Sequence, residues 1–85
     1  MTAVGTSDPP RADEQIDARG LNCPLPILRT KKALAKLASG QVLAVLTTDP
    51  HAEADFQAFC HQTGNALLAQ CPQEGGALLH YVRRR

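Results

Sequence analysis

The apolar and polar residues of this chain recur with two different periods, and the longer period predicts two helices. At 24–38 the apolar residues share one helical face and the basic residues share another, which is typical of an amphipathic helix. A second helix is expected at 50–63, with Asp49 as its N-cap and Pro50 as its first residue. The positions expected to face the core are Ile27, Leu34, Leu37, Ala38, Ala52, Phe56, Phe59, Cys60 and Thr63.

Shorter apolar runs predict four strands. The run at 41–47 is almost continuously apolar, which is typical of a buried strand. A short strand is expected at 15–18, and the runs at 66–71 and 77–83 flank a Gly-rich turn, which predicts a hairpin. The element order is therefore βαβαββ. We predict an α+β two-layer sandwich, in which a four-stranded mixed sheet carries both helices on one face.

Length and composition limit the domain organisation. Residues 1–12 contain Gly, Ser and Pro with almost no large apolar side chain, so we expect a disordered N-terminal tail followed by one domain at 13–85. A core of this size encloses no deep cavity, and any chemistry is expected near the surface.

No segment resembles a secretory signal or a membrane span, and three cysteines without a Cys-x-x-Cys pair favour a reducing compartment. We therefore expect a cytoplasmic protein.

The charges are nearly balanced overall but unevenly distributed. The net charge is +1, with one Tyr, two Phe and no Trp, which argues against a nucleic-acid binder that relies on charge or base stacking. Basic residues gather in the first predicted helix and at the end of the chain. These clusters are either docking surfaces for proteins or simply solvated faces. The helix residues concerned are Arg29, Lys32 and Lys36.

Cys23 is the candidate for chemistry, because it precedes the first predicted helix. A thiol acts as a nucleophile only as the thiolate, and the positive end of a helix lowers a thiol's pKa. We place Cys23 at the N-cap and expect its pKa to be lowered there. Pro24 and Pro26 should stiffen the first turn and hold the sulfur outward. The alternative is that Cys23 is a buried, inert cysteine.

The other cysteines and the histidines have weaker signals. Cys60 is expected on the apolar face of the second helix and Cys71 at the end of a strand, and both are interpreted as structural. His80 is expected at the surface, on the open face of the last strand. No pair of cysteines and histidines has the spacing of a zinc finger, so we predict no metal site.

The run Asp17-Ala18-Arg19-Gly20-Leu21-Asn22-Cys23-Pro24-Leu25-Pro26 resembles the signature of the TusA/SirA-like sulfur carrier family. The resemblance covers roughly residues 14–83. It implies a fold similar to the C-terminal domain of translation initiation factor three, with Cys23 as the persulfide site. Arg19, Gly20, Pro24 and Pro26 belong to the same motif. Asp17 either binds backbone in the loop or orients Arg19 near the sulfur.

In that family the cysteine accepts sulfane sulfur from a cysteine desulfurase or a rhodanese-type donor and passes it to a reactive cysteine of an acceptor protein. The resemblance implies a sulfurtransferase-type carrier rather than a self-sufficient enzyme, with no cofactor and with routes such as tRNA 2-thiouridine synthesis or sulfur oxidation. We expect a monomer that binds neither membrane nor nucleic acid directly, and that docks partners through Arg29, Lys32 and Lys36.

Two other functional classes remain open. An RNA-binding or regulatory module is suggested by the initiation-factor-like fold and the basic clusters, although the near-neutral charge argues against it. A thiol-disulfide oxidoreductase is disfavoured because the fourth position of the motif is Pro26 rather than a second cysteine.

Overall fold

The computed structural model describes residues 9–85, so residues 1–8 of the predicted tail lie outside the described residues. Its elements follow the order βαβαββ, and a short 3₁₀ turn at Glu74–Gly76 joins the last two strands. The strands are β1 (Glu14–Ala18), β2 (Val42–Thr47), β3 (Ala66–Pro72) and β4 (Leu78–Arg83), and the helices are α1 (Leu25–Leu34) and α2 (Ala52–Thr63).

The four strands form one mixed sheet in the order β1-β2-β4-β3. β1 runs parallel to β2, with Ala18 beside Thr47, and α1 makes the crossover between them. β4 is antiparallel to both of its neighbours, and it brings His80 beside Val45. The central pair therefore consists of β2 and β4, the two most buried strands.

Both helices pack on the same face of this sheet, which confirms the predicted two-layer sandwich. Inward-facing residues of β2 and β4 alternate with residues of the opposite face, as the two-residue period of a strand requires. Phe56 of α2 is completely buried at the centre of the layer. The buried residues of this core are Ala18, Leu34, Leu43, Val45, Ala52, Phe56, Phe59, Cys60 and Val82.

The helices differ from prediction at their ends. α1 stops at Leu34 and not at Ala38, because the chain tightens into i→i−3 hydrogen bonds after Leu34 and the Gln41 side chain accepts the Ala38 N–H at 2.8 Å. Ala38 is therefore exposed rather than part of the core. α2 begins at Ala52 with His51 as its N-cap, so the expected roles of Asp49 and Pro50 were wrong by two residues.

His80 is buried, which contradicts the expected surface position. Its ring stacks on Phe56 with centroids 4.0 Å apart, and one ring nitrogen lies 2.8 Å from the Thr47 hydroxyl. The other nitrogen lies 3.1 Å from Nε2 of Gln70. Burial lowers the pKa of His80 to about 4, so the ring is neutral inside the fold. His80 thus faces the helices, together with Val82 two residues later.

Candidate functional site

The Cys23 loop connects β1 to α1 and is tied to the loop before α2. The backbone N–H of Cys23 donates a 2.7 Å hydrogen bond to Oδ2 of Asp49. The N–H of Gly20 donates to the Thr48 hydroxyl at 2.9 Å, and Gly20 has a φ of 79°, a left-handed conformation that favours glycine. Two long-range hydrogen bonds therefore hold the loop, and the Cys23 side chain is exposed as predicted.

The start of α1 differs from the expected arrangement. The N-cap is Pro24, because a turn closed by the Leu25 N–H and the Asn22 carbonyl at 2.8 Å precedes the helix. Cys23 lies one residue before the N-cap, and its peptide bond to Pro24 is cis. Pro26 lies within the first helical turn, where its carbonyl accepts a hydrogen bond from the buried Thr30 hydroxyl at 2.8 Å.

Two carboxylates, those of Asp55 and Asp49, act on the Cys23 thiol. The pKa of Cys23 is raised, first by its hydrogen bond to the Asp55 side chain, then by partial desolvation, and then by the negative charges of Asp55 and Asp49. The expected lowering of this pKa was therefore wrong. Asp55 was not among the predicted site residues, because it lies 32 residues beyond Cys23 and only the packing of α2 beside α1 brings the two together.

Asp49 stays ionised at this site. Its Oδ1 atom accepts the His51 N–H at 3.1 Å and lies 3.2 Å from Nδ1 of His51. The hydrogen bond from the His51 N–H, followed by that from the Cys23 N–H, lowers the pKa of Asp49. Its side chain is only 5% exposed. Asp49 is therefore a fixed negative charge that positions the Cys23 backbone.

Asp17 and Arg19 pair with each other. Asp17 accepts hydrogen bonds from Nε and Nη2 of Arg19 at 2.9 and 2.8 Å, and also from the Arg19 backbone N–H at 3.0 Å. Asp17 therefore binds backbone in the loop, the first role considered, and also pairs with the Arg19 side chain, while the orientation of Arg19 toward the sulfur stays a prediction. The contacts with Arg19 lower the pKa of Asp17 to about 2. Because both side chains are more than half exposed, the ion pair contributes little to stability.

A shallow groove of about 290 Å³ runs from Cys23 between the two helices. Its walls combine apolar and charged side chains, with a carboxylate near the thiol and one lysine farther along α1. The lining residues are Cys23, Pro24, Ile27, Lys31, Asp55, Ala58, Phe59, Gln62 and Thr63. Cys23 is therefore open to a partner at one end of an interhelical groove.

The three predicted docking residues, Arg29, Lys32 and Lys36, line a different depression, beside β1. Leu25 and Leu28 lie in the same depression and are 46% and 50% exposed, although the sequence did not single them out. None of the described residues lining this depression also lines the interhelical groove. The basic surface is thus a mixed basic and apolar face of α1, on another side of the helix from the groove.

The other two cysteines are placed apart from Cys23. Cys60 is buried in the core, and desolvation raises its pKa to about 11. Cys71 is half-buried on the opposite face of the sheet, beside the cluster of Val42, Ala44, Leu79 and Tyr81.

Within residues 9–85, no three His, Cys, Asp or Glu side chains cluster as metal ligands would, and no helix has the length and hydropathy of a membrane span.

Comparison with known proteins places the chain in a family. The model of the family described as "Sulfurtransferase TusA" matches residues 14–84, which include the Cys23 loop and every strand and helix. The chain belongs to the TusA family. The resemblance inferred from the Cys-Pro-x-Pro motif is thereby confirmed.

Individual proteins similar to this chain support the same family assignment. The chain is 51% identical over 72 residues to the sulfur carrier protein TusA of Allochromatium vinosum, covering 85% of this chain and 93% of that protein. It is 58% identical over 62 residues to a putative sulfur carrier protein of Neisseria meningitidis, covering 73% and 84% of the two chains. The crystal structure of a SirA-like protein from Desulfitobacterium hafniense superposes with a TM-score of 0.74 at 30% identity, covering 82% of this chain and 95% of that one.

Proposed function

We propose that this TusA-family protein carries sulfur as a persulfide on Cys23. The observation that carries the proposal is that Cys23 is the single exposed thiol of residues 9–85, held at the rim of a groove by the hydrogen bond from its N–H to Asp49. Cys60 is enclosed in the core and Cys71 lies on the other side of the sheet. The relatives named as sulfur carriers support the same function.

The proposed transfer is a displacement at sulfur. The Cys23 thiolate attacks the outer sulfur of a donor persulfide, the donor S–S bond breaks, and its electron pair stays on the donor cysteine, which then takes a proton. Cys23 becomes the persulfide and the donor returns to a thiol, so no outside oxidant or reductant is consumed. An acceptor thiolate repeats the same displacement on Cys23.

The placement of the other thiols suits a carrier that must keep its sulfur. A neighbouring thiol in the same chain would attack the Cys23 persulfide, release hydrogen sulfide and leave a disulfide. Neither Cys60 in the core nor Cys71 on the opposite sheet face is positioned for that reaction. The persulfide is therefore expected to survive until a partner protein docks.

The partners proposed are a cysteine desulfurase or rhodanese-type donor and an acceptor protein with a reactive cysteine. Docking is assigned to the depression lined by Arg29, Lys32 and Lys36 together with Leu25 and Leu28, because exposed leucines beside cations offer both apolar contact and charge complementarity. We further propose that the protein acts as a cytoplasmic monomer, since the thiol must be open to more than one partner.

The experiment is a loading assay. The protein is incubated with a cysteine desulfurase and free cysteine, and intact mass spectrometry measures the sulfur added to each chain. We expect one sulfur atom per chain, none in Cys23→Ala, and unchanged loading in the control variant Cys71→Ala. If Cys23→Ala gains sulfur as readily as the unmodified protein, Cys23 is not the carrier.

A further inference from the structure

The interhelical groove is lined by the Cys23 thiol and by the acidic side chain of Asp55. Asp55 belongs to the first part of α2 and lines the groove with Cys23, and its side chain is the first cause of the raised pKa of the thiol. Within residues 9–85 the Asp55 carboxylate makes no salt bridge. A thiolate at Cys23 would therefore form beside an unneutralised carboxylate, which is unfavourable.

The charges that act on the thiol are the carboxylates of Asp55, on α2, and Asp49, in the loop before α2. Lys31 of α1 lines the same groove and makes no salt bridge within residues 9–85. Asp49 is already engaged with the Cys23 N–H and with His51. Asp55 is thus the negative group with binding capacity left for a partner.

On the basis of the proposed carrier function, we propose that Asp55 is a charge gate. It holds the free carrier as a weakly reactive thiol, and a sulfur donor activates Cys23 by placing a cationic side chain against Asp55 when it docks. The partner chemistry is accordingly a sulfur-bearing cysteine with an Arg or Lys close to it. A donor with an acidic residue at that position would be rejected, since it would face the carboxylates of Asp55 and Asp49.

The activated step balances without further reagents. When the partner cation pairs with Asp55, the Cys23 thiol gives its proton to solvent, and the resulting thiolate attacks the outer sulfur of the donor persulfide. The donor S–S bond breaks and the donor thiolate takes up a proton. The gate therefore alters the fraction of thiolate available at docking and leaves the overall exchange unchanged.

The size of the expected effect follows from the competition between thiolate fraction and nucleophilicity. Below the pKa, lowering a thiol pKa by one unit raises the thiolate fraction about tenfold, while the lower basicity slows each thiolate about threefold. The net gain is about threefold per unit. Removing the Asp55 charge should therefore accelerate the reaction of Cys23 with a neutral reagent at neutral pH.

The gate can be tested with two small disulfides of opposite charge. Cystamine carries two cations and 3,3′-dithiodipropionate carries two anions. The reaction is run at low ionic strength, and mass spectrometry of the Cys23 peptide measures the rate of mixed-disulfide formation at Cys23. Each rate is divided by the rate at which a small neutral thiol reacts with the same disulfide, so that differences between the two leaving groups cancel. The unmodified protein is expected to prefer cystamine by about tenfold.

The variant Asp55→Asn should reduce this preference to within about twofold and should react faster with iodoacetamide. Glu53→Gln is the matched control, because it removes one charge from the same turn of α2 without lining the groove, and it should keep the preference. If Asp55→Asn keeps the tenfold preference, the gate is refuted. Asp55→Ser serves if the amide variant fails to fold, as judged by circular dichroism.

The disulfide test of the gate and the loading assay can fail separately. If Cys23→Ala still gains sulfur in the loading assay, the proposed function is refuted, whatever the disulfide probes show. An unchanged charge preference in Asp55→Asn, with normal dependence of loading on Cys23, would refute the gate alone.

Discussion

The carboxylate of Asp49 accepts the backbone N–H of Cys23 at 2.7 Å, and so links the loop that carries the thiol to the start of α2. The same carboxylate accepts the His51 N–H at 3.1 Å. The position of the sulfur therefore depends on the side chain of Asp49, which lies 26 residues away in the loop before α2.

Asp49→Ala is expected to loosen the Cys23 loop. The substitution removes the charged acceptor of the Cys23 and His51 N–H groups. We therefore expect the melting temperature to fall by about 5–10 °C and sulfur loading to slow several-fold. The decrease in melting temperature should be smaller for Asp49→Asn, because its amide oxygen can still accept one of these hydrogen bonds. Thermal unfolding and the loading assay measure the two effects. An equal loss in the control Glu53→Ala would show that the effect is not specific to Asp49.

The neutral His80 should make the fold sensitive to acid. Burial lowers its pKa from 6.5 to about 4, so the unfolded chain binds the proton more readily than the folded chain. This contribution to stability is complete above pH 6.5 and is lost as the pH falls toward 4. The shift corresponds to a loss of about 3 kcal/mol in the free energy of unfolding.

Urea unfolding between pH 7 and pH 4 measures that loss, and NMR titration of the His80 ring locates its pKa. His61→Gln, an exposed position on α2, is the control and should leave the pH dependence as it is. A His80 ring that titrates above pH 6 would contradict the prediction.

The depression beside β1 should affect transfer without affecting folding. Lys32→Glu and Leu28→Ser both change exposed side chains, so we expect less than about 0.5 kcal/mol of change in stability. We expect loading from the desulfurase to slow several-fold in each. The Lys32→Glu effect should shrink at high salt, whereas the Leu28→Ser effect should persist.

The matched control for Lys32→Glu is Arg83→Glu, which makes the same charge reversal at an exposed residue at the end of β4, outside this depression. Initial rates of loading at low and high salt compare the two variants. Equal slowing by Arg83→Glu would indicate that net charge, rather than the depression, governs docking.

Several elements follow from local sequence. The apolar run of β2 and the apolar face of α2 predict a buried strand and an amphipathic helix, and both are present. Cys60 lies in the core, as the spacing from Phe56 predicts. The motif from Asp17 to Pro26 indicates the family and singles out Cys23, because these features lie within ten consecutive residues.

The environment of the thiol was decided by tertiary structure alone. Asp49 and Asp55 reach Cys23 from the next loop and helix, so the sequence near Cys23 predicts a lowered pKa while the folded protein raises it. His80 likewise became a core residue because Phe56, Thr47 and Gln70, from three other elements, surround its ring. Helix periodicity, capping and motif spacing act over a few residues, whereas a pKa responds to every charge within several ångströms, however far away in the chain.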